Sequence, residues 1–304
     1  TINALAYNIA DASVVDYCTG LTDLKDRLIR SIGDPQVRFT EDPVRMLRAV
    51  RFAASHGFDI ERTAWECIRQ LCSTISRVSP SRLYEEVQKL FLLGFACPTF
   101  ALLEKSGLLV SLFPDLAGWA RERDGCFEAL ERHLAGIDEL VRSGQRASVA
   151  LLLAALFGPR LEEAAMARHR EGIPRRQALD ETCAGFLKEI SRGVQIPGRV
   201  GARLNAILAL KTSLCRMPPR RPATLAGRPE FAETVMHLKT AAGTEGEHQA
   251  ALTWWKAFLL ENPPAESAEA PADEAPRKKR RRRRKKPRRG RSSVVREEGT
   301  AHGQ

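Results

Sequence analysis

Asp42 and Arg45, three residues apart in the string RFTEDPVRMLRAVRFAA (residues 38–54), set a hydrogen-bond acceptor beside a donor. On a helix, residues at i and i+3 share a face, so both side chains reach one flat ligand. Adenine presents on its Watson–Crick edge an exocyclic amino donor beside a ring-nitrogen acceptor, and cytosine presents the same order. An Asp acceptor next to an Arg donor complements that edge. Guanine and uracil invert the order and would leave polar groups facing like partners, at a cost of several kcal/mol. Such a pair selects A or C without a template strand and does not separate the two. A plainer reading stands beside it. Glu41 and Arg45 at i and i+4 make a surface ion pair worth about 0.3–0.5 kcal/mol, and acids favour helix starts. Spacing alone favours the plainer reading.

The element that must position these groups is a helix entered at Thr40. Val44, Leu47, Val50 and Ala54 recur on one stripe, which predicts Thr40 as the N-cap, Pro43 in the first turn and Gly57 as the stop. Ahead of it, residues 14–17 and 28–32 are β-branched runs bounded by turn signals and read as short strands at the edge of an α/β piece. Helical patterns follow over 63–75, over 79–94 with Ser79 or Ser81 as cap, and over 97–114 closed by Pro114. Further helices are predicted over 125–143, 147–156, 178–191, 200–214, 229–242 and 245–260. Residues 216–231 break the series with Pro218 and Pro219 and with arginines at 216, 220, 221 and 228; they read as a basic surface connection. Trp254 and Trp255 read as docking the last helix on the core rather than as a base-stacking platform. The predicted class is mainly α with a small β remnant.

The net charge of +11 is not spread over this body. Residues 277–291 hold 13 Lys or Arg in 15 positions, and without them 35 basic residues face 37 acidic ones. Arg280, Arg281, Arg282, Arg283, Arg284, Lys285 and Lys286 form the densest part, which reads as a sequence-indifferent, salt-sensitive binder of RNA phosphates. Residues 262–276, rich in Pro, Ala and acids, read as an unfolded linker. No run of 18 uncharged apolar residues appears and no secretory signal pattern opens the chain, so the predicted compartment is the cytoplasm. Seven cysteines form no C-x-x-C pair and six histidines form no H-x-H or H-E-x-x-H spacing. Neither a disulfide framework nor a zinc site is predicted, and all seven cysteines read as structural.

The strings TINALAYNIAD, DLKDRLIRSIGDPQVRFTEDPVRMLRAVRFAASHGF, RLYEEVQKLF and LLEKSGLLVSLFPDL, over roughly the first 116 residues, resemble the class II nucleotidyltransferases: bacterial poly(A) polymerases and tRNA CCA-adding enzymes. TWWKAF and the Arg-rich tail resemble the poly(A) polymerase branch. The resemblance implies a remnant of a nucleotidyltransferase head over 1–36 and neck helices with base-recognition and RNA-binding functions over 37–118. It implies a helical body and tail region over 119–261, a disordered linker over 262–276 and a disordered Arg/Lys-rich RNA-binding tail over 277–304. The family's E-D-x-x-R base-reading motif falls on Glu41, Asp42 and Arg45, with Arg48 and Arg51 as supports or phosphate contacts and Asn3 in the nucleotide-pocket stretch.

The implied reaction transfers AMP from ATP to RNA 3′ ends and promotes mRNA turnover, with RNA-degradation machinery as a partner. CCA addition to tRNA and a noncatalytic RNA-binding role are the alternatives. Two-metal phosphoryl transfer needs paired carboxylates, and the family's D-x-D pair for magnesium lies in the head; no D-x-D occurs in this chain. The expectation is a fragment that does not catalyse nucleotide addition alone. Arg82 and Glu86 match a family R-x-x-x-E pattern and are expected to pair at i and i+4 as a brace of the neck. Asp23 is the hinge candidate. Arg27 stands where the family has glycine, which predicts a stiffer or differently shaped hinge.

Overall fold

Among the described residues, strands are confined to two short pairings near the N-terminus, and helices make up most of the rest. The computed structural model describes residues 1–241 and 246–262. The expected linker past residue 262 and the basic tail, including residues 280–286, lie outside the described residues. Strands β1 (Leu5–Asn8) and β2 (Ser13–Asp16) pair antiparallel, with Leu5 opposite Asp16. After helix α1 (Gly20–Lys25), β3 (Leu28–Ile29) pairs in parallel with β4 (Asp59–Ile60). The strand predicted over 14–17 is therefore present one residue earlier, that predicted over 28–32 is shortened to two residues, and the two belong to separate two-stranded sheets.

Between β3 and β4 run α2 (Pro35–Glu41) and α3 (Val44–His56), where one helix from Thr40 was expected. Thr40 is not the N-cap. Asp34 caps α2 by accepting the Gln36 amide at 2.9 Å, with Pro35 at the first helical position. The Thr40 hydroxyl donates to the Gln36 carbonyl at 2.7 Å inside α2. Pro43 forces the break, because proline disfavours helical backbone in the residue before it. Asp42 accordingly takes an extended conformation, φ −142° and ψ 95°. It then opens α3: its carbonyl accepts the Arg45 amide at 3.0 Å and its carboxylate accepts the Val44 amide at 3.3 Å. The stripe itself is as predicted, with Val44, Leu47, Val50 and Ala54 buried, and Gly57 ends α3.

Further helices are α4 (Arg62–Leu71), α5 (Pro80–Phe91), α6 (Ala96–Ser106), α7 (Leu108–Leu112) and α8 (Pro114–Arg121). The helix predicted over 97–114 is thus two. Gly107 at φ 81° separates them, a backbone conformation that costs glycine no steric penalty, and Pro114 begins α8 instead of closing a helix. The series continues as α9 (Cys126–Arg142), α10 (Val149–Arg170), α11 (Arg175–Ile190) and α12 (Gly198–Leu214). It ends with α13 (Pro222–Ala226), α14 (Phe231–Ala241) and α15 (Gly246–Glu261).

One core, including Met46, Ile68, Phe91, Phe100 and Phe157, runs from α2 through α12. A second gathers Leu210, Leu214, Leu225, Phe231 and Trp255. Trp255 is 1% exposed and its indole N–H donates to the Leu214 carbonyl at 3.0 Å, which is the docking role expected for it. Trp254 stacks on Phe258 at 5.4 Å. Cys18, Cys67, Cys72, Cys97, Cys126 and Cys183 are free thiols.

Candidate nucleotide-binding cleft

A cleft of about 230 Å³ opens where the N-terminal turn, β3, α2 and α3 meet. The core packing of α3 fixes its floor. With Val44, Leu47 and Val50 turned inward, Arg45, Arg48, Ala49 and Phe52 face the cleft. Arg38 and Phe39 come from α2, Arg30 follows β3, and Asn3 lies in the short turn Ile2–Ala4. The result is a small space with apolar walls, four guanidiniums and one carboxamide. Such a space suits an anionic ligand carrying a flat ring.

Of the residues predicted from sequence, Asn3, Arg45 and Arg48 line this cleft. Glu41, Asp42 and Arg51 do not line it. The Glu41 carboxylate accepts from Arg38 at 2.9 Å and from Arg45 at 3.3 Å, so it pins two of the cleft's cations against each other's repulsion. Arg45 also donates to the Arg38 carbonyl at 3.4 Å across the α2–α3 break. The i, i+4 ion pair of Glu41 and Arg45 is therefore present and at the same time orients a cleft residue. Arg51 lies over the Phe52 ring at 4.4 Å, and its buried Nε has no hydrogen-bond partner.

The Asp42 and Arg45 side chains do not bond to one another. The Asp42 carboxylate accepts from Arg82 of α5 at 2.9 Å, a link across 40 residues of sequence. The expected Arg82–Glu86 brace is replaced by this contact and by a Glu86–Lys89 pair at 3.0 Å. Two physical reasons favour the exchange. Side chains on a helix lean toward its N-terminus, so Arg82 in the first turn of α5 points off the helix end. The order base-then-acid is also the weaker orientation for an i, i+4 pair.

Asp23, the hinge candidate, is a buried anchor. It is 3% exposed, accepts from the Thr1 hydroxyl at 3.0 Å and from Arg30 Nε at 3.1 Å, and so fixes two walls of the cleft. The Arg30 amide in turn donates to the Thr1 hydroxyl at 2.7 Å. Arg27 adopts φ 54°, the left-handed region that glycine fills freely. The chain thus keeps a glycine-like turn without glycine. The Arg27 side chain offsets part of that cost by donating to the Gly57 carbonyl at 3.4 Å and lying 5.8 Å from the Phe58 ring. Sequence reasoning missed Arg30 and Arg38. No local signal marks Arg30, because its contacts with Thr1 and Asp23, distant in sequence, set it in the cleft wall; Arg38 carried a signal in the Arg-x₆-Arg spacing to Arg45.

Three family models match the chain. The "Poly A polymerase head domain" covers residues 1–30, the "Probable RNA and SrmB- binding site of polymerase A" covers 57–119, and the "Polymerase A arginine-rich C-terminus" covers 171–290. Poly(A) polymerase I of Escherichia coli O6:H1 is 35% identical over 99% of this chain. The chain belongs to the poly(A) polymerase family. It spans 65% of the length of that poly(A) polymerase. A CCA-adding enzyme of Streptococcus suis is 35% identical over 43% of the chain and 32% of its own length. The crystal structure of the Bacillus stearothermophilus CCA-adding enzyme in complex with CTP superposes with a TM-score of 0.57 at 23% identity, covering 86% of this chain and 57% of that one. That likeness shows the mainly α nucleotidyltransferase fold. In this poly(A) polymerase family chain, no group of three or more His, Cys, Asp or Glu among the described residues is arranged to hold a metal ion. Magnesium has no ligand set among the described residues.

Proposed function

We propose that this chain supplies the nucleotide-reading and RNA-holding part of a polynucleotide adenylyltransferase, which transfers AMP from ATP to RNA 3′ hydroxyls and so promotes RNA turnover. The carrying observation is the cleft that gathers Asn3, Arg38, Arg45 and Arg48 beside the Asp42–Arg82 pair. Arg38 and Arg48 would hold phosphates. Arg45 would donate to the base's ring nitrogen, and Asp42 would accept its exocyclic amino group. Arg82 binds one Asp42 oxygen, and a carboxylate keeps further lone pairs for a base. Asp42 must turn toward the cleft to do this.

The head, neck, body, linker and tail boundaries at 1–36, 37–118, 119–261, 262–276 and 277–304 belong to this reading. So do magnesium-dependent chemistry in the rest of the head, a cytoplasmic site of action, contact with RNA-degradation machinery, and RNA held by residues 280–286. No described helix is long and apolar enough to cross a membrane. CCA addition is the second reading, favoured by the CCA-adding relatives; the basic tail argues against it, because tRNA is recognised by shape more than by a polycation.

Calorimetry with the 304-residue chain tests the cleft. ATP is expected to bind, GTP to bind roughly tenfold more weakly, and Arg48→Ala to weaken both. Equal binding of ATP and GTP would overturn the base-reading role. RNA primer, ATP and magnesium added to the same chain should give no extension, and robust extension would overturn the division of labour between head and neck. With the full-length enzyme, CTP incorporation on tRNA lacking its end would establish the CCA reading instead.

A further inference from the structure

A second cavity, about 630 Å³, lies away from the cleft among α10, α11, α12 and the connection before α14. Its volume is in the range of small-molecule sites. Leu179, Leu208 and Ala209 give it an apolar side, and its described lining carries four cations, Arg175, Arg176, Lys211 and Arg228, against one carboxylate, Glu162. That carboxylate is already engaged, since Lys211 Nζ donates to it at 2.8 Å. Three guanidiniums therefore remain at the mouth with no lining acid to answer them.

Their placement is built. Arg176 pairs with both Asp180 oxygens, through Nε at 3.0 Å and Nη2 at 2.9 Å, and Asn205 donates to one of them at 2.7 Å, which fixes the guanidinium beside the cavity. Arg228 reaches Glu230 only at 3.8 Å. Arg175 forms no ion pair among the described residues. Arg175 and Arg176 are also the first two residues of α11, whose first turn contains no acid. The helix dipole disfavours cations there, and Arg175, unlike Arg176 with its Asp180 pair, has no ion pair among the described residues to offset that.

We infer that this cavity binds a phosphorylated molecule of about nucleotide size, with the phosphate on Arg175, Arg176 and Arg228 and the remainder against Leu179, Leu208 and Ala209. Guanidiniums favour bidentate phosphate contacts. A phosphate monoester carries close to two negative charges near neutral pH, which answers three clustered arginines better than a single carboxylate does. The His248 imidazole is the one ring in the described lining, so the site reads phosphate and size more than base identity. The same chemistry is available from a free nucleotide or from the phosphorylated end of an RNA strand.

Calorimetry on the full chain in about 0.15 M salt separates these cases, using AMP, adenosine, phenyl phosphate and a 5′-phosphorylated oligoadenylate. The Arg48→Ala background disables the cleft, so the two sites fail independently. AMP and phenyl phosphate are expected to bind with one site in that background, and adenosine is expected to bind far more weakly. Arg175→Glu with Arg228→Glu, both exposed, should weaken AMP roughly tenfold or more with an unchanged melting temperature. Ala209→Trp, which fills the cavity, should abolish binding in protein whose circular dichroism shows it folded. Binding of the oligonucleotide alone, lost in the same variants, would make an RNA end the source. Adenosine binding as tightly as AMP, affinity unmoved by the double charge reversal, or no binding by any probe would overturn the inference.

Discussion

Asp42 leaves helical geometry and gains three partners by doing so: its carbonyl holds the Arg45 amide, and its carboxylate holds the Val44 amide and Arg82. The Arg82 pair is partly exposed, so it is worth about 0.2–1 kcal/mol at most. Arg82→Ala should therefore lower the melting temperature only slightly. If Arg82 positions Asp42 for a base, the same variant should narrow the preference for ATP over GTP while phosphate affinity stays constant. Asp42→Ala should remove that preference, and nucleotide titrations of both variants beside thermal melts check it. An unchanged ATP/GTP ratio in both would leave Asp42 as a turn residue. Arg27 gives a second test at this scale. Its left-handed φ costs roughly 1–2 kcal/mol for a residue with a β-carbon, partly offset by the Phe58 contact at about 0.5–1 kcal/mol. Arg27→Gly, which relieves strain and loses that contact, should change stability by less than about 1 kcal/mol. Arg27→Val should cost about 1–3 kcal/mol, because a β-branched residue fits that conformation poorly and cannot reach Phe58. Urea unfolding midpoints measure both.

Helices α9 and α14 meet through a small residue. Gly136 on α9 stands so near α14 that a β-carbon there would lie 2.9 Å from the Thr240 Cα, a backbone atom that cannot rotate away. Gly136→Ala gains helix propensity of about 1 kcal/mol, yet the overpacking costs about 1–3 kcal/mol. A net loss of stability by chemical denaturation is expected; a stabilised variant would show that α9 and α14 separate easily. Elements of this kind were legible in the sequence only in part. The period of Val44, Leu47 and Val50 exposed the buried face of α3, because one-sided burial writes itself into spacing. The break at Asp42 was also written, in Pro43, but Thr40 resembled a cap while the stronger signal, Asp34 followed by Pro35, sat six residues earlier. Arg38 and Arg45 were visible as charges, and Arg82–Asp42 was not, since tertiary folding alone joins residues 40 apart. For the same reason the motif E-D-x-x-R identified the region while its spacing misplaced Asp42 on the helix.

At the scale of the whole molecule, α9, α10, α12, α14 and α15 converge on a buried cluster of like-natured groups. His133 from α9 and His237 from α14 meet edge to face at 6.4 Å, and His133 Nδ1 contacts the Ala155 carbonyl of α10 at 3.2 Å. His237 is 1% exposed and neither ring nitrogen has a hydrogen-bond partner. Lys211 from α12, His248 from α15 and Arg132 from α9 add positive or titratable groups nearby, and the Lys211 charge is balanced by Glu162 of α10. Burial, followed by these positive neighbours, pushes His237 well below the usual imidazole value, and burial likewise lowers His133. A depressed histidine pKa means that the native state resists a proton which the unfolded chain accepts near pH 6.5. Stability from this source is complete above about pH 6.5 and is lost as pH falls toward the folded-state values, by up to about 1.4 kcal/mol per pH unit for each proton taken up on unfolding. Denaturation midpoints between about pH 7.5 and pH 5 should fall steeply in the native chain. His237→Leu removes a buried group with two unmet polar atoms, so it should be neutral or stabilising at neutral pH and should flatten the acid limb. Parallel acid limbs for the two proteins would show that His237 does not carry the proton linkage, leaving the carboxylates as its source.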